Sequence, residues 1–183
     1  DQAGNMVTAT PSGGWLQSSP VIPELGFCLG TRGQMFWLEE GHPASLAPGK
    51  RPRTTLSPTL ALRDGDAYLA WGSPGGDQQD QWITQFFLRH VHAGMNLQEA
   101  GDAARFYHDG GRQTTGVDLD PIGILELEPG VPEATVETLK AMGYKIRIDD
   151  NGSDFGGYEA IMRDPKTGVY SGATEMRKDG QAA

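Results

Sequence analysis

Residues 58–77 read PTLALRDGDAYLAWGSPGGD, and this stretch predicts the centre of the fold. Two apolar runs, 58–62 and 67–71, flank an Asp-Gly turn, which is a pattern typical of a β-hairpin. We expect this hairpin to lie in the middle of a sheet. The two glycines that follow predict a tight turn into a helix that begins at Asp77, a good N-cap residue.

Beyond this turn, apolar side chains recur at helical spacing over 82–91, and the pattern stops at Gly94. This spacing predicts an amphipathic helix of about four turns packed on the sheet. A shorter helix is expected over 97–104. A third helix should begin at Pro132 and end at Gly143, because proline favours a helix start and glycine a helix end.

Short alternating segments predict further strands on both sides of these helices. They are residues 6–10, 26–29, 35–38, 124–128 and 144–148, and a final hairpin of 158–163 with 169–173. Two segments rich in glycine, proline or serine, 11–25 and 41–53, predict loops. Strands that cluster around helical segments are typical of a mixed sheet with helices on a face, so we predict an α+β fold.

Composition narrows the class of protein. The 183 residues fit a single domain, and 15 basic against 24 acidic side chains give a net charge of −9. An acidic surface repels a phosphate backbone, so we expect no nucleic-acid partner. No apolar run approaches the length of a membrane span, and the N-terminus lacks a signal-peptide pattern. The lone Cys28 excludes an internal disulfide and a cysteine-rich zinc site, and we expect its side chain to be buried.

The glycine-rich turn 72–77 is the first candidate for chemistry. It joins a predicted strand to a helix N-terminus, where free backbone N–H groups and the helix dipole attract negative charge. The adjacent Gly75 and Gly76 let a ligand approach the backbone closely. Asp77 competes for the same dipole and the lysine of a P-loop is missing, so a transient oxyanion fits better than a phosphate. A plain structural turn remains the alternative.

The loop ahead of the hairpin is the second candidate. Residues 50–59 carry three cations and four hydroxyl groups, a combination that can hold a carboxylate or simply be solvated. His90 and His92 point about 200° apart on the predicted helix, so they cannot share a metal ion. No Gly-x-Ser-x-Gly elbow occurs, which argues against a Ser-His-Asp triad.

Several motifs occur in an order that points to one family. They are Lys50-Arg51-Pro52, Thr54-Thr55, Ser57-Pro58-Thr59, GSPGG at 72–76, GMNLQEA at 94–100, DAARF at 102–106 and GATEMR at 172–177. Together they resemble the small subunit of the gamma-glutamyltranspeptidase family, whose final strand has a Ser-Asp-Pro-Arg type of ending. The similarity covers nearly the whole chain.

This resemblance implies the four-layer αββα sandwich of the N-terminal nucleophile hydrolases, with residues 1–183 as one domain that forms most of the small subunit. It implies an amide-cleaving acyl hydrolase or transferase for gamma-glutamyl compounds such as glutathione, with no cofactor and no metal. The expected partner is the large subunit of the same self-cleaved precursor. Bacterial members are often periplasmic or secreted, but the sequence leaves the compartment open, the cytoplasm included.

The resemblance also assigns the nucleophile. In the family, a strand that bears an N-terminal threonine runs into an Asp-x-x-Gly-Asn turn, which residues 1–5 match. The nucleophile is therefore expected a few residues before Asp1, aided by its own amine. We expect the chain to be inactive on its own.

The resemblance assigns site residues by position. Gly75 and Gly76 match the pair whose N–H groups form the oxyanion hole. Ser12 falls where the family has a second threonine that hydrogen-bonds the nucleophile. Thr54 and Thr55 match paired serines that bind the α-carboxylate of the substrate, and the exchange keeps both hydroxyl groups.

The sequence departs from the family where an acidic residue would bind the α-amino group of the substrate. Residues 30–36 carry Arg32 and Gln34 instead, and both remain candidate substrate contacts, as does Ser73 in the glycine turn. Gly14 also replaces an asparagine donor. An unpaired buried ammonium group is costly, so glutamate recognition is in question. A glutaryl or cephalosporin-type acylase, or a non-catalytic binding module, is therefore the alternative.

Overall fold

The computed structural model describes residues 3–13, 19–111 and 123–182. Asp1, at the start of the predicted first turn, and Gly14 lie outside these residues. The strands are β1 (Val21–Ile22), β2 (Phe27–Cys28), β3 (Thr59–Arg63), β4 (Asp66–Gly72), β5 (Phe106–Asp109), β6 (Ile124–Leu127), β7 (Ile146–Ile148), β8 (Glu159–Arg163) and β9 (Tyr170–Thr174). The α-helices are α1 (Gln79–Val91), α2 (Leu97–Asp102) and α3 (Glu133–Ala141).

The main sheet has the order β3-β4-β8-β9, and each neighbouring pair is antiparallel. The predicted β3–β4 hairpin is confirmed, with Asp64 and Gly65 at positive φ angles of 54° and 92° in its turn. The prediction that this hairpin lies in the middle of the sheet is right for β4 and wrong for β3. Since β8 pairs with the other side of β4, β3 is left at an edge of the described sheet. This arrangement explains why β4 carries the buried run 69–71.

Helix α1 packs on this sheet through aromatic side chains, and α2 contributes Leu97 and Ala100 to the same core. Phe87 stacks on Trp71 with ring centroids 5.2 Å apart, and Phe86 lies 4.7 Å from Tyr158. Burying each large apolar side chain contributes roughly 1.5–3 kcal/mol. The buried core consists of Leu69, Trp71, Phe86, Leu97, Ala100, Tyr158, Ala160 and Ala173.

The helix boundaries confirm most of the sequence predictions. Helix α1 is present, but it begins at Gln79, because residues 76–78 form a 3-10 turn that contains Asp77. The prediction of Asp77 as the N-cap is therefore wrong. Helix α2 begins with a capping box, in which Asn96 and Glu99 satisfy each other's backbone N–H groups.

The second sheet has the order β5-β6-β7, in which β6 and β7 run parallel and are connected through α3. Helix α1 borders this sheet through two glutamines one turn apart. Gln85 donates to the carbonyl of Phe106 and accepts from its N–H group. Gln81 does the same with His108. The two carboxamides thus supply the hydrogen bonds that a neighbouring strand would give to the edge of β5.

Four local predictions differ from the structure. Residues 6–10 form no strand ladder among the described residues, and 35–38 is not a strand, because Met35 ends a 3-10 turn and Trp37 makes only an isolated bridge with Ser45. The predicted loop 11–25 contains β1, which pairs with β2. The Cys28 side chain is half-buried rather than buried.

An ion network, here called the arginine cluster, consists of Arg89, Arg105, Arg177, Glu128 and Glu175. Arg177 donates from Nε to Glu128 Oε1 at 2.5 Å and from Nη1 to Glu175 Oε2 at 3.2 Å. Arg105 Nη2 lies 3.9 Å from Glu175 Oε2. Arg89 donates to carbonyls at the end of α2, where the helix dipole favours positive charge. The arginine cluster joins α1 and α2 to the segments that follow β6 and β9.

Burial sets the ionisation of this cluster. It lowers the pKa of Arg105 to about 10, and the positive charge of Arg177 adds to this effect. Burial also acts to lower the pKa of Arg177, but its hydrogen bonds to Glu128 and the nearby negative charges outweigh burial, so that pKa is raised. Both arginines are therefore charged at neutral pH.

The turn between β8 and β9 gives a pH-dependent prediction. The Asp164 carboxylate accepts from the N–H groups of Thr167 and Lys166, and these bonds lower its pKa below the ordinary 3.8. Because the pKa of Asp164 is lowered by folding, its carboxylate stabilises the fold at pH values above the ordinary pKa. This stabilisation is lost as the pH falls through the folded-state pKa. We therefore expect Asp164→Ala to lower the thermal midpoint modestly at neutral pH.

The check is a thermal melt of the wild type and of Asp164→Ala over a series of pH values. The difference between their midpoints should disappear at a pH below the folded-state pKa. Lys166→Ala is the control, because it keeps the backbone N–H group that donates a hydrogen bond to Asp164. A difference that is constant with pH contradicts the prediction.

Among the described residues, no helix has both the length and the apolar character that crossing a bilayer requires.

Candidate active site

A cleft of about 1230 Å³ opens at the C-terminal end of β4. Its walls are the extended segment 7–12, the turn 73–76, Thr55 and Leu56 of the loop before β3, and Arg32 of a 3-10 turn. The structure thus brings together most of the residues that the sequence predicts for the site. Thr54 is an exception, because it does not line the cleft and its Oγ1 accepts locally from the N–H of Leu56 at 3.1 Å.

The glycine turn needs both of its glycines, for different reasons. Gly75 has a φ of 125°, and a Cβ there would lie 2.2 Å from Cζ3 of Trp82. Gly76 has a φ of 70°, and a Cβ there would meet nothing within 4 Å. Positive φ angles of this kind disfavour side chains. The turn is therefore held against Trp82 on one side and is open on the other.

The buried carboxamide of Gln79 lies beneath this turn. With its amide nitrogen toward the carbonyl of Ser73 at 2.9 Å, its oxygen accepts from the N–H groups of Gly75 at 3.3 Å and Gly76 at 3.2 Å. These two distances exceed the 2.9–3.0 Å that is typical of N–H···O bonds, which leaves the N–H groups able to share a second acceptor. The oxyanion-hole role of Gly75 and Gly76 stays a prediction.

Sequence reasoning missed Gln79, although a signal was present. Positions 79, 82 and 86 follow the i, i+3, i+7 spacing of the face of α1 that packs on the sheet, and all three side chains are buried. A polar residue at a position that faces the core must find hydrogen-bond partners inside the protein. Such a residue next to a glycine turn is therefore a candidate for a structural role in the site.

Arg32 is the charged side chain that best matches a substrate carboxylate. Its Nη1 lies 3.5 Å from Thr55 Oγ1, and its Nε is buried without a hydrogen-bond partner among the described residues. No carboxylate of the described residues pairs with its guanidinium. Gln34, two residues further on, is exposed and also lines the cleft. A cation and a hydroxyl group at this spacing fit the two oxygens of a carboxylate.

Two serines of the predicted site take different positions. Ser12 is exposed in the cleft, at the wall formed by segment 7–12. Ser73 also borders the cleft, but its hydroxyl is buried, donates to the carbonyl of Pro74 at 2.8 Å and accepts from the N–H of Gly157 at 3.2 Å. The geometry therefore favours a supporting role for Ser73 over the direct substrate contact that we expected from its side chain.

Four acidic side chains border the cleft, and of these Asp179 is exposed while the other three are already engaged. Asp77 lies 3.6 Å from Arg53, and Glu159 accepts from Thr174 at 2.6 Å. Glu175 belongs to the arginine cluster. A substrate ammonium group beside Arg32 would therefore meet a positive charge, and these three carboxylates are bound elsewhere. Within residues 3–13, 19–111 and 123–182, no three His, Cys, Asp or Glu side chains come together to hold a metal ion.

The family model described as Gamma-glutamyltranspeptidase matches residues 1–183. The chain belongs to the gamma-glutamyltranspeptidase family. Its α+β fold is that of the N-terminal nucleophile hydrolases, as the sequence predicted, and its relatives in the family are enzymes made as proenzymes.

Two curated relatives illustrate the range of this family. The oxamate amidohydrolase proenzyme of Klebsiella pneumoniae subsp. pneumoniae is 35% identical over 91% of this chain and 30% of its own length. The acylase ACY 1 proenzyme of Pseudomonas sp. (strain SE83) is 33% identical over 98% of this chain and 30% of its own length. The chain thus spans about 30% of the length of these gamma-glutamyltranspeptidase relatives.

Two solved structures share the fold. LmbA2991HD is 46% identical with a TM-score of 0.80, over 92% of this chain and 30% of that chain. A mutant gamma-glutamyltranspeptidase of Helicobacter pylori is 30% identical with a TM-score of 0.76, over 97% of this chain and 96% of that chain.

Proposed function

We propose that this chain is the small-subunit part of an amide-cleaving acyl hydrolase whose acyl group carries a carboxylate and no α-ammonium group. The observation that carries this proposal is Arg32, a cation without a carboxylate partner among the described residues, beside Thr55 in the cleft. The family resemblance puts the acid that binds an ammonium group in this segment. A gamma-glutamyl substrate would place its ammonium group beside a like charge, which is unfavourable in a site shielded from water.

The proposed reaction is acyl transfer through a covalent intermediate. The hydroxyl of an N-terminal threonine, which precedes Asp1 in the precursor, attacks the amide carbonyl, and its proton passes through the α-amine of that threonine to the leaving amine. Gly75 and Gly76 offer backbone N–H groups to the oxyanion that forms, and Ser12 supplies a hydroxyl group beside the nucleophile. Water then hydrolyses the ester and regenerates the threonine. The large subunit is the proposed partner.

The relatives support this choice of substrate class. One of them is named for oxamate, an amide that carries a carboxylate and no ammonium group, and another is named as an acylase. Arg32 with Thr55 can bind the carboxylate end of such an acyl group, and the glycine turn lines the same cleft. An acyl group with a carboxylate at one end and the amide at the other could thus contact both parts.

The test compares glutaryl and gamma-glutamyl anilides with the complete parent protein, after its mass has been checked for self-cleavage. We expect turnover of the glutaryl compound to exceed that of the gamma-glutamyl compound. Arg32→Gln should lower kcat/KM for the glutaryl compound by about 30-fold, the cost expected for one hydrogen bond to a charged group, and should change the other rate much less. Arg63→Gln is the matched control, because Arg63 lies over the ring of Tyr68 outside the cleft.

Each outcome of this test has a distinct meaning. Equal losses on both substrates would exclude Arg32 as the carboxylate ligand. Preferred turnover of the gamma-glutamyl compound would show that the cleft accepts an ammonium group in spite of Arg32. Absence of self-cleavage would favour a non-catalytic binding module on the same scaffold.

A further inference from the structure

The carboxamide of Gln79 contacts both the loop that carries Thr55 and the glycine turn. Its side chain is buried, and its residue is only 5% exposed. Its amide nitrogen lies 2.8 Å from the carbonyl of Thr55, 2.9 Å from Ser57 Oγ and 2.9 Å from the carbonyl of Ser73. Its oxygen receives the two N–H groups of the glycine turn. One side chain thus joins the loop before β3, the end of β4 and the turn before α1.

The orientation of this carboxamide follows from its neighbours. Two of the groups on one side are backbone carbonyls, which only accept, and both groups on the other side are backbone N–H groups, which only donate. The opposite orientation would face oxygen to carbonyls and NH₂ to N–H groups, and a buried mismatch of that kind is costly. The hydroxyl of Ser57 can accept from the amide nitrogen or donate to the amide oxygen, so it does not discriminate between the two orientations. The nitrogen of Gln79 therefore faces the loop and its oxygen faces the turn.

This arrangement fixes the distance between the two ends of a bound substrate. Thr55 carries the hydroxyl beside Arg32, at the end of the cleft proposed to bind the carboxylate. Gly75 and Gly76 carry the N–H groups at the end where the oxyanion forms. Both ends are hydrogen-bonded to the same carboxamide, and reaction rates are sensitive to errors of about 1 Å in such spacing. Only a glutamine reaches both ends with a donor and an acceptor.

We propose that Gln79 is a positioning residue that sets the register between the carboxylate-binding loop and the oxyanion turn. Its oxygen makes the N–H groups of Gly75 and Gly76 converge, and the charged oxyanion, a stronger acceptor, shares them from the open side of the turn. Gln79 acts through these neighbours and does not touch the substrate. This inference rests on the proposed function for its kinetic consequence, and on geometry alone for its effect on the two N–H groups.

The test uses Gln79→Met and Gln79→Glu in the complete parent protein. Methionine keeps the length of the side chain and removes every hydrogen bond, while glutamate keeps the acceptor, removes the donor and places a negative charge beside the oxyanion. The matched controls are Gln85→Met and Gln85→Glu, because Gln85 also bridges an N–H and a carbonyl group from α1 but faces β5. Self-cleavage and thermal midpoints show that each variant is folded.

Two readouts separate positioning from a general loss of structure. We expect kcat on the preferred anilide to fall about tenfold to 100-fold in Gln79→Met and further in Gln79→Glu, with KM changed less than about threefold. Hydrogen exchange at the amides of Gly75 and Gly76 should be slow in the wild type and at least about tenfold faster in Gln79→Met. The Gln85 variants should change neither readout.

The outcomes are decisive in both directions. Exchange at Gly75 and Gly76 that is unchanged in Gln79→Met overturns the inference, whatever the enzyme hydrolyses. A loss of kcat that the Gln85 variants reproduce also overturns it, since a general effect on α1 would then be enough. If the wild type hydrolyses neither anilide, the proposed function fails, and the exchange rates still decide whether Gln79 holds the turn.

Discussion

Gly75→Ala is expected to lower kcat of the complete enzyme by about 1000-fold, the upper range for loss of an oxyanion donor. The added Cβ would lie 2.2 Å from Trp82 Cζ3, so either the turn or the indole ring must move. Trp82 is buried on α1 and packs edge to face on Tyr107, which leaves the ring little room. The turn therefore shifts, and its N–H groups no longer point to the place where the oxyanion forms.

The control for this prediction separates backbone strain from collision. Gly94→Ala also places a side chain at a positive φ, here 70°, but its Cβ would meet nothing within 4 Å. It should cost about 1 kcal/mol of folding free energy and leave kcat unchanged. Steady-state kinetics and thermal melts of both variants provide the measurement. Full activity in a folded, self-cleaved Gly75→Ala protein would show that this turn does not form the oxyanion hole.

Arg177→Met is expected to lower the free energy of unfolding by about 3–5 kcal/mol. The substitution leaves the carboxylates of Glu128 and Glu175 buried and removes the guanidinium that pairs with both of them, while the backbone N–H of residue 177 still donates to Glu175. The guanidinium of Arg105 lies 3.9 Å from Glu175, and its backbone N–H already donates to Glu128 at 2.7 Å, so Arg105 does not replace the lost charge-assisted bonds. A buried charge without its partner is far more costly than a broken surface pair. Denaturant unfolding, followed by a probe of the small subunit, measures the change.

Two further variants test whether burial causes this effect. Lys140→Met breaks an exposed ion pair with Glu137, and its expected cost is below about 1 kcal/mol. Arg177→Lys keeps the charge but loses the forked contact with Glu128. Its loss of unfolding free energy should therefore lie between those of Arg177→Met and Lys140→Met. Equal stability of Arg177→Met and Lys140→Met would mean that the arginine cluster contributes no more than a surface pair.

The sequence predicted the elements whose signals are local. The hairpin 58–72, helix α1 and the final hairpin combine regular periodicity with turn residues that admit few conformations. The edge position of β3 could not be predicted, because it depends on β8, a strand distant in sequence. The apolar run 35–38 is not a strand, because so short a segment does not determine its own conformation: Met35 ends a 3-10 turn and Leu38 is exposed.

The site residues likewise divide into those with a signal in the sequence and those that depend on contacts between distant segments. The glycine turn could be found because a glycine pair before a helix has a direct physical meaning, and the resemblance to a known family placed Thr55, Arg32 and Ser12 around it. Gln79 and the buried state of the Ser73 hydroxyl depend on contacts across the fold. The arginine cluster has the same origin, because its five members come from four separate places in the chain.

The late position of Arg177 also bears on how the chain reaches its native state. Strand β4 is flanked on one side by β8, and the hydroxyl of Ser73 at its end accepts from Gly157, so the wall of the cleft needs residues made long after it. Contacts between segments far apart in sequence form slowly. During synthesis, one edge of β4 therefore stays unpaired until β8 has been made. Arg177 is the last member of the arginine cluster to be added. The cleft therefore cannot be complete before β8 and Gly157 have been synthesised.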